Sequence, residues 1–232
     1  MTTLLLDPAQ FALDQAEVAG EAYRHLFRAL RLAVGDELRV VDGRGRARRA
    51  RVERVDRQSG WLSLQELAPS LEPALRLTLL VACPRPQRAS WLVEKLTEIG
   101  ASAVHFLETE RGMRGLARGE LAHLERVAVA AVEQCGRACL PKLSGPHPLA
   151  ALPGLAQEAE ERIFLDPGAT QLAPPRPAMG SLAVAIGPEG GWSQAERQQL
   201  RAQGFAPAGL GERTLRLETA ALAAACLCLL GR

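Results

Sequence analysis

Two glycine-bearing segments late in the chain have residue types suited to binding a ligand against the backbone. They are residues 186–193 (IGPEGGWS) and residues 210–220 (LGERTLRLETA). Each follows small and apolar residues typical of a buried strand and precedes a stretch with a helical pattern. Glycine has no Cβ, so the backbone there can turn sharply and approach a ligand closely. Neither segment fits the G-x-G-x-x-G or G-x-x-x-x-G-K-[ST] pattern, so a phosphate cradle is not indicated.

A third loop, Asp166-Pro167-Gly168, also follows an apolar run. Ligands of open parallel sheets bind outside the carboxyl ends of the strands. We therefore expect the loops 166–168, 187–192 and 211–217 to meet in one pocket that suits a nucleoside such as adenosine. Each segment taken singly also fits an ordinary turn from a strand into a helix.

The elements predicted around these loops divide the chain into two domains. Residues 35–66 show short alternating strands, with a turn at Asp42-Gly43, and residues 69–73 form a proline-bearing linker. We predict a small β domain over residues 1–70 and an α/β domain over residues 74–232. The second domain alternates strands with helices, which indicates a parallel sheet covered on both faces. Its predicted strands are 75–82, 103–107, 162–165, 182–186 and 206–210, and its predicted helices are 89–99, 121–139, 193–203 and 218–230. Gly100 is predicted to end the first of these helices, and Ser193 with Glu196 forms a capping-box pattern that would begin the third.

The composition is that of a soluble globular protein and does not exclude an RNA partner, although its preference for arginine over lysine also fits a bias of genome composition. The formal net charge is only +2, but Lys95 and Lys142 are the only lysines and every other basic residue is arginine. Arginine makes forked phosphate contacts and stacks on bases. No basic leader or apolar run of bilayer length is present, so we expect a cytoplasmic protein. The five cysteines form no C-x-x-C pair, and the histidines lack metal-ligand spacing, so no metal is predicted.

An arginine-rich stretch in the first domain is the densest basic signal. We predict one strand over residues 44–57, whose alternation would place Arg44, Arg46 and Arg48 on one face. Arg49 and Arg51 would then lie on the other face. Such an array can follow RNA phosphates, although solvated arginines would give the same pattern.

Taken together and in this order, segments 186–193 and 210–220 resemble the SPOUT class of methyltransferases. Within that class they are similar to the ribosomal RNA small subunit methyltransferase E family. The resemblance covers nearly the whole chain and includes residues 95–100, 109–111, 133–137 and 140–141. In the first domain it includes residues 24–26, 28, 30–31, 35–36 and 42–43. The chain departs from the family pattern at Trp192, Thr214 and residues 112–114.

The resemblance implies a PUA-like RNA-binding β-barrel followed by an α/β domain with a deep trefoil knot. It also implies a homodimer that uses S-adenosylmethionine to methylate N3 of a uridine in 16S rRNA of the small ribosomal subunit. Ribose 2′-O-methylation, or RNA binding without catalysis, is the alternative. The implied cofactor-binding residues are Leu165, Asp166, Pro167, Ile186, Gly187, Pro188, Glu189, Gly190, Gly191, Leu210, Gly211, Leu215, Arg216, Thr219 and Ala220.

Two residues are candidates for catalysis. Arg216 would stabilise negative charge on uracil oxygens as N3 loses its proton. A structural ion pair of Arg216 with Glu218 or Glu189 is the alternative. Glu218 is a candidate general base, although an acidic residue in a first helical turn more often interacts with the helix dipole. The candidate RNA-binding residues are His25, Arg28, Arg31, Arg44, Arg46, Arg48, Arg111 and Arg137.

Overall fold

The computed structural model describes residues 1–112, 115–117 and 119–230, and these residues divide into two compact units. The first unit combines Met1–Glu72 with Val129–Leu140, and the second combines Pro73–Ala128 with Pro141–Arg232. The sequence places the linker close to this boundary but does not reveal that residues 129–140 join the first unit. They do so because Val132 and Ala138 are buried in a cluster with Val41 and Ala47.

The first unit is built on one mostly antiparallel sheet. In the part of the chain that the structure describes, its strands are β1 (Thr3–Leu5), β2 (Gln15–Ala19), β3 (Glu37–Val41), β4 (Ala47–Val55) and β5 (Ser59–Ala68). Their order is β1-β3-β4-β5-β2, and only β1 and β3 are parallel neighbours. The helices α1 (Pro8–Phe11) and α2 (Gly20–Tyr23) accompany the sheet, and α2 continues into a π-helical segment, Arg24–Ala29. Alternate residues Leu38 and Val40 of β3 are fully buried in the core of this unit.

The arginine-rich stretch is not one strand, so that prediction is wrong for its first residues. Strand β4 begins only at Ala47, and Arg44 and Arg46 lie in the preceding turn. Asp42 fixes this turn, because its Oδ1 accepts hydrogen bonds from the backbone N–H of Arg44 (2.8 Å) and Arg46 (3.0 Å). Arg44 and Arg46 therefore do not share a strand face with Arg48.

The second unit holds a parallel sheet with helices on both faces. Over the described residues its strands are β6 (Arg76–Ala82), β7 (Ala103–Leu107), β8 (Lys142–His147), β9 (Glu161–Leu165), β10 (Ser181–Ile186) and β11 (Ala206–Ala208). They are ordered β11-β9-β10-β6-β7-β8 and all neighbouring pairs are parallel. The helices are α3 (Pro86–Ile99), α4 (Glu120–Cys135), α5 (Leu152–Leu155), α6 (Gln194–Ala202) and α7 (Leu217–Leu229), with a 3₁₀ turn at Leu149–Ala151. From Val129 onward, α4 belongs to the first unit. Helix α7 packs against α3, β6 and β10.

Local sequence signals account for several of the element boundaries. Every residue of β10 is buried, as expected for a central strand covered on both faces. Helix α3 ends at Gly100, whose φ of 113° is the left-handed conformation that glycine adopts readily. Helix α6 begins with the predicted capping box, in which the Ser193 and Glu196 side chains each accept the other residue's backbone N–H. These signals confirm the predicted helices near 89–99 and 193–203.

In the middle of the chain one predicted element is wrong in its end, and one strand was missed. The helix predicted over 121–139 ends at Cys135, because Gly136 takes a left-handed conformation with φ 78°. Strand β8 was not predicted, since its Gly145-Pro146 pair is a sequence signal for a turn.

Candidate functional site

The three predicted loops meet around one cavity at the carboxyl ends of β9, β10 and β11. Twelve of its lining residues are those predicted from the sequence: Leu165, Asp166, Pro167, Ile186, Gly187, Pro188, Glu189, Gly191, Leu210, Gly211, Leu215 and Ala220. Trp192, Arg213, Thr214 and Leu217 also line it. Gly190, Arg216 and Thr219, which were predicted with the first group, lie outside the lining.

Trp192 joins two of the loops and explains one of the glycines. Its side chain is buried, and its Nε1–H donates a hydrogen bond to the carbonyl oxygen of Leu165 (3.0 Å). A Cβ on Gly187 would lie 2.8 Å from Cε2 of the indole, closer than real Cβ contacts allow. Residue 187 therefore has to be glycine because the indole packs against it, a reason that the sequence does not reveal.

The carboxylate of Asp166 is held by an arginine on α6. Arg197 Nε lies 3.0 Å from both carboxylate oxygens, and its Nη2 lies 2.9 Å from Oδ1. This hydrogen bonding raises the pKa of Arg197 above its usual value, and Arg197 also donates to the carbonyl oxygen of Trp192. The ion pair fixes the orientation of the 166–168 loop relative to residues 187–192, the glycine-rich loop.

A further arginine, Arg88 in the first turn of α3, contacts both acidic residues next to the cavity. Its Nη1 lies 3.3 Å from Oε1 of Glu189 and 3.3 Å from Oε1 of Glu218. The sequence alternative paired these glutamates with Arg216 instead, and the structure contradicts it. Arg88 was missed because it is 101 residues from Glu189 and farther still from Glu218, and no local pattern signals the contact.

The two candidate catalytic residues differ in their surroundings. Arg216 is the exposed N-cap residue of α7, and its neighbours Leu215 and Leu217 line the cavity. Among the described residues its guanidinium makes no ion pair. Glu218 lies in the first turn of α7 and is buried, and its Oε1 accepts no hydrogen bond within the described chain. Glu218 does not line the cavity.

Arg111 and its neighbours hold the tip of the glycine-rich loop. Arg111 Nη1 donates to the carbonyl oxygen of Gly190 (3.0 Å), and a Cβ on Gly190 would lie 3.1 Å from Cβ of Arg111. Glu196 anchors this segment, because its Oε1 accepts the backbone N–H of Glu110 (2.9 Å). Met113 and Arg114, where the chain departs from the family pattern, lie outside the described residues.

Most of the candidate RNA-binding residues of the first unit are exposed. His25 and Arg28 lie on the π-helical segment, and Arg31 follows it with an unusual left-handed φ of 59°. Arg28 also stacks on the ring of Tyr23. Arg44 is exposed, and Arg46, although paired with Asp42, keeps 57% of its side chain exposed.

Arg48 has a structural environment that counts against a contact with RNA. Its guanidinium donates to four backbone carbonyl oxygens, those of Phe11, Leu13, Leu64 and Gln65, and 16% of its side chain is exposed. These bonds join β5 to the segment after α1. Arg48 therefore supports the fold of this unit.

Arg137 likewise has a structural environment, an ion pair with Glu72. It is 5% exposed, and its Nη2 lies 2.8 Å from Oε2 of Glu72. Burial raises the pKa of Glu72, but the hydrogen bonds and charge of Arg137, with the backbone N–H groups of Ala138 and Cys139, outweigh burial and lower it. A phosphate would have to displace Glu72 from this buried pair, which counts against the predicted RNA contact of Arg137.

Two of the four histidines, His105 and His147, are joined by a short hydrogen-bonded chain through Ser144. His105 Nδ1 lies 2.6 Å from Oγ of Ser144, which lies 2.7 Å from Nε2 of His147. Burial, with the charges of His147 and Lys142, lowers the pKa of His105 to about 4. Within residues 1–112, 115–117 and 119–230, no three His, Cys, Asp or Glu residues are grouped to hold a metal, and no helix is long and apolar enough to cross a membrane.

Comparison with known proteins identifies both units. Residues 71–229 match the RNA methyltransferase domain family, and residues 18–65 match the RNA methyltransferase PUA domain family. Ribosomal RNA small subunit methyltransferase E of Synechocystis is 30% identical over 94% of this chain and 73% of its own length. The protein of the same name from Mycobacterium bovis is 32% identical over 90% of this chain and 84% of its own length.

A solved structure extends the similarity to three dimensions. The crystal structure of ribosomal RNA small subunit methyltransferase E from Neisseria gonorrhoeae, bound to S-adenosylmethionine, is 26% identical to this chain. The two superpose with a TM-score of 0.86 over 97% of this chain and 95% of the other.

Proposed function

The chain belongs to the ribosomal RNA small subunit methyltransferase E family, and we propose on this premise that it methylates N3 of a uridine in 16S rRNA. It is an S-adenosylmethionine-dependent rRNA methyltransferase. Three features are part of the proposal: the choice of N3, the residues that act there, and the cytoplasm as the place of reaction.

The observation that carries the proposal is the cavity where the three loops meet at the carboxyl ends of β9, β10 and β11. Its walls combine apolar side chains, among them Ile186, Leu210 and Leu215, with backbone of glycine-bearing turns. Gly191 and Gly211 take left-handed conformations there, with φ 67° and 95°. Apolar walls with a few backbone polar groups suit an adenosine moiety. S-adenosylmethionine supplies an electrophilic methyl group on its sulfonium, and we place it in this cavity.

Arg216 is the residue that we propose acts on the uracil. N3 of neutral uracil carries a proton, so N3 can attack only as that proton passes to solvent water and the base becomes an anion. Methyl transfer would then form the N3–CH3 bond, break the bond from the methyl group to the sulfonium, and leave S-adenosylhomocysteine. Arg216 is exposed beside the cavity and makes no ion pair in the described part of the chain, so its guanidinium is available to uracil O2 or O4. A preorganised cation at a developing anion lowers the barrier.

The start of α7 supports the same role. Among the residues that the structure describes, no side chain caps this helix, so the backbone N–H groups of its first turn carry their partial positive charge without a side-chain acceptor. The cavity-lining residue Leu217 is the first residue of this helix. Glu218 does not line the cavity, which counts against the predicted role of general base.

The first unit would hold the rRNA while the second unit reacts with it. Exposed arginines, chiefly Arg44, Arg46, Arg28 and Arg31, are the proposed phosphate contacts, because arginine forms forked bonds to phosphate. His25 lies among them and is a further proposed contact. Arg111, at the glycine-rich loop, is the proposed contact of the second unit.

We also propose that the cavity segments form a trefoil knot and that the protein is a homodimer. The apolar surface of α7 supports the dimer. Leu222, Ala223, Cys226 and Leu227 are only partly buried on this helix, and Leu230 just beyond it is 65% exposed.

Substitution of Arg216 by alanine tests the chemical step. We expect the single-turnover rate of methyl transfer to fall about a hundredfold to a thousandfold, as for the loss of one charge-stabilising donor. Affinity for S-adenosylhomocysteine and for RNA should change much less. Raising the pH should partly restore the rate, because more uracil is then deprotonated without help. Arg201→Ala, an exposed substitution in the last turn of α6, is the matched control.

Two results would contradict the proposal. Full activity in a stable Arg216→Ala protein would remove Arg216 from the mechanism. Digestion of the modified RNA to nucleosides should give 3-methyluridine, and recovery of a 2′-O-methyl nucleoside instead would refute the choice of N3.

A further inference from the structure

Two carboxylates from distant parts of the second unit face each other across one arginine. Glu189 belongs to the glycine-rich loop, and Glu218 to the first turn of α7. Both place Oε1 at 3.3 Å from the same atom, Nη1 of Arg88. The two oxygens are therefore close enough to repel each other strongly if the cation between them is removed.

The exposure of Arg88, Glu189 and Glu218 shows which of the two ion pairs contributes more to stability. Glu189 is 52% exposed and Arg88 is 35% exposed, so that ion pair by itself is screened by water and contributes little. Glu218 is only 7% exposed, and its Oε1 accepts no hydrogen bond from any described residue. A buried carboxylate that loses its cation is strongly destabilised. Arg88 therefore serves mainly to neutralise the buried Glu218, and it forms a second, more exposed ion pair with Glu189.

These contacts connect three elements around the cavity. Arg88 projects from α3, Glu189 lines the cavity wall formed by the glycine-rich loop, and Glu218 lies next to the lining residue Leu217. We propose that Arg88 is a positioning residue that sets the separation of the glycine-rich loop and the start of α7, and so the width of the cofactor cavity. This inference rests on the proposed placement of S-adenosylmethionine in that cavity.

Loss of Arg88 should widen the cavity rather than unfold the unit. The neighbouring Gly190 is still held by Arg111, whose Nη1 donates to its carbonyl oxygen at 3.0 Å. The half-exposed Glu189 is free to move into water, whereas the buried Glu218 is not. The loop should therefore pivot away from α7 at Glu189.

A double-mutant cycle with Arg88→Met and Glu189→Gln tests the inference, with calorimetric titration of S-adenosylhomocysteine as the measurement. Arg88→Met should weaken binding on the order of tenfold, the usual scale for coupled neighbours. Glu189→Gln alone should weaken binding much less than Arg88→Met does, since its screened contact with Arg88 contributes little. The double variant should bind more tightly than Arg88→Met, because the repulsion between the two carboxylates is gone.

Two further variants separate positioning from general stabilisation. Arg88→Lys should restore only part of the affinity that Arg88→Met loses, because the lysine ammonium reaches less far than the Nη1 atom that contacts both carboxylates. Arg85→Met removes an exposed arginine from the N-cap of the same helix and should bind as the parent protein does. Melting curves of all variants show whether each is folded at the temperature of the titration.

A failure of the proposed role of Arg88 and a failure of the proposed cofactor site would give different results. Additive losses in the cycle, or parental affinity in a folded Arg88→Met protein, would overturn the role of Arg88. Parental affinity in both Arg88→Met and Gly187→Ala would instead show that the cofactor does not bind in this cavity.

Discussion

Gly187→Ala is the most direct test of how the cavity is built. The added Cβ would lie 2.8 Å from Cε2, 3.0 Å from Nε1 and 3.1 Å from Cδ2 of Trp192. The indole has no room to retreat, since it is buried and its Nε1–H is bonded to the carbonyl oxygen of Leu165 at 3.0 Å. The φ of Gly187 is not in the left-handed region, so the effect is one of space alone.

The size of the effect follows from that crowding. Inserting one methyl group into a packed core costs about 1–3 kcal/mol, so we take about 2 kcal/mol. In a chain of this length that cost lowers the melting temperature by about 4–8 °C. The backbone at residues 186–188 can relieve the clash with the indole by shifting into the cavity. Cofactor binding must then push that backbone back, which restores the strain. Affinity for S-adenosylmethionine then falls by up to about thirtyfold.

Calorimetric titration and a melting curve measure both consequences. Gly154→Ala is the matched control, because a Cβ there meets nothing within 4 Å and its φ is not left-handed. Trp192→Leu in the Gly187→Ala background should recover part of the lost affinity by removing the indole. Parental stability and affinity in Gly187→Ala would refute the reasoning, since the indole would then be free to move.

Two further predictions concern the first unit. Glu72→Gln should lower the free energy of unfolding by about 2–3 kcal/mol at pH 7, because Arg137 is left buried without its carboxylate. The folded pKa of Glu72 lies below its usual 4.5, so its stabilisation is present above that pH and is lost as the pH falls through the folded value. The free energy of unfolding of Glu72→Gln, measured by denaturant titration, should therefore fall less than that of the parent protein as the pH drops below 4.5. An equal fall in both proteins would contradict this. Arg44→Gln with Arg46→Gln should weaken RNA binding and reduce its log–log salt slope by about one per lost contact, with cofactor affinity retained. A parental salt slope would show that these two arginines are only solvated.

Local sequence signals determined much of the framework around the cavity. Apolar runs predicted β6, β7 and β10, and the Ser193–Glu196 capping box and Gly100 predicted where α6 begins and α3 ends. These features depend on residues within a few positions of each other, so they can be read from one sequence. The rule that parallel strands present their carboxyl ends at one edge then predicted that three loops meet, and they line one cavity.

Contacts between distant residues were decided by the tertiary structure alone. Arg48 and Arg137 have the same side chain as the exposed Arg44, yet one is bonded to four carbonyl groups and the other is buried against Glu72. Nothing local in the sequence distinguishes them, because the partner of a charged side chain depends on which elements pack beside it.

The same reason applies at the cavity itself. The sequence by itself determined that residue 187 is a glycine at a strand end, and that acidic residues stand at 189 and 218. Only the fold decided that an indole fills the space beside Gly187 and that Arg88 lies between the two glutamates. Close packing and the neutralisation of a buried charge are properties of side chains brought together from remote positions, so they arise only when the sheet and its helices are assembled.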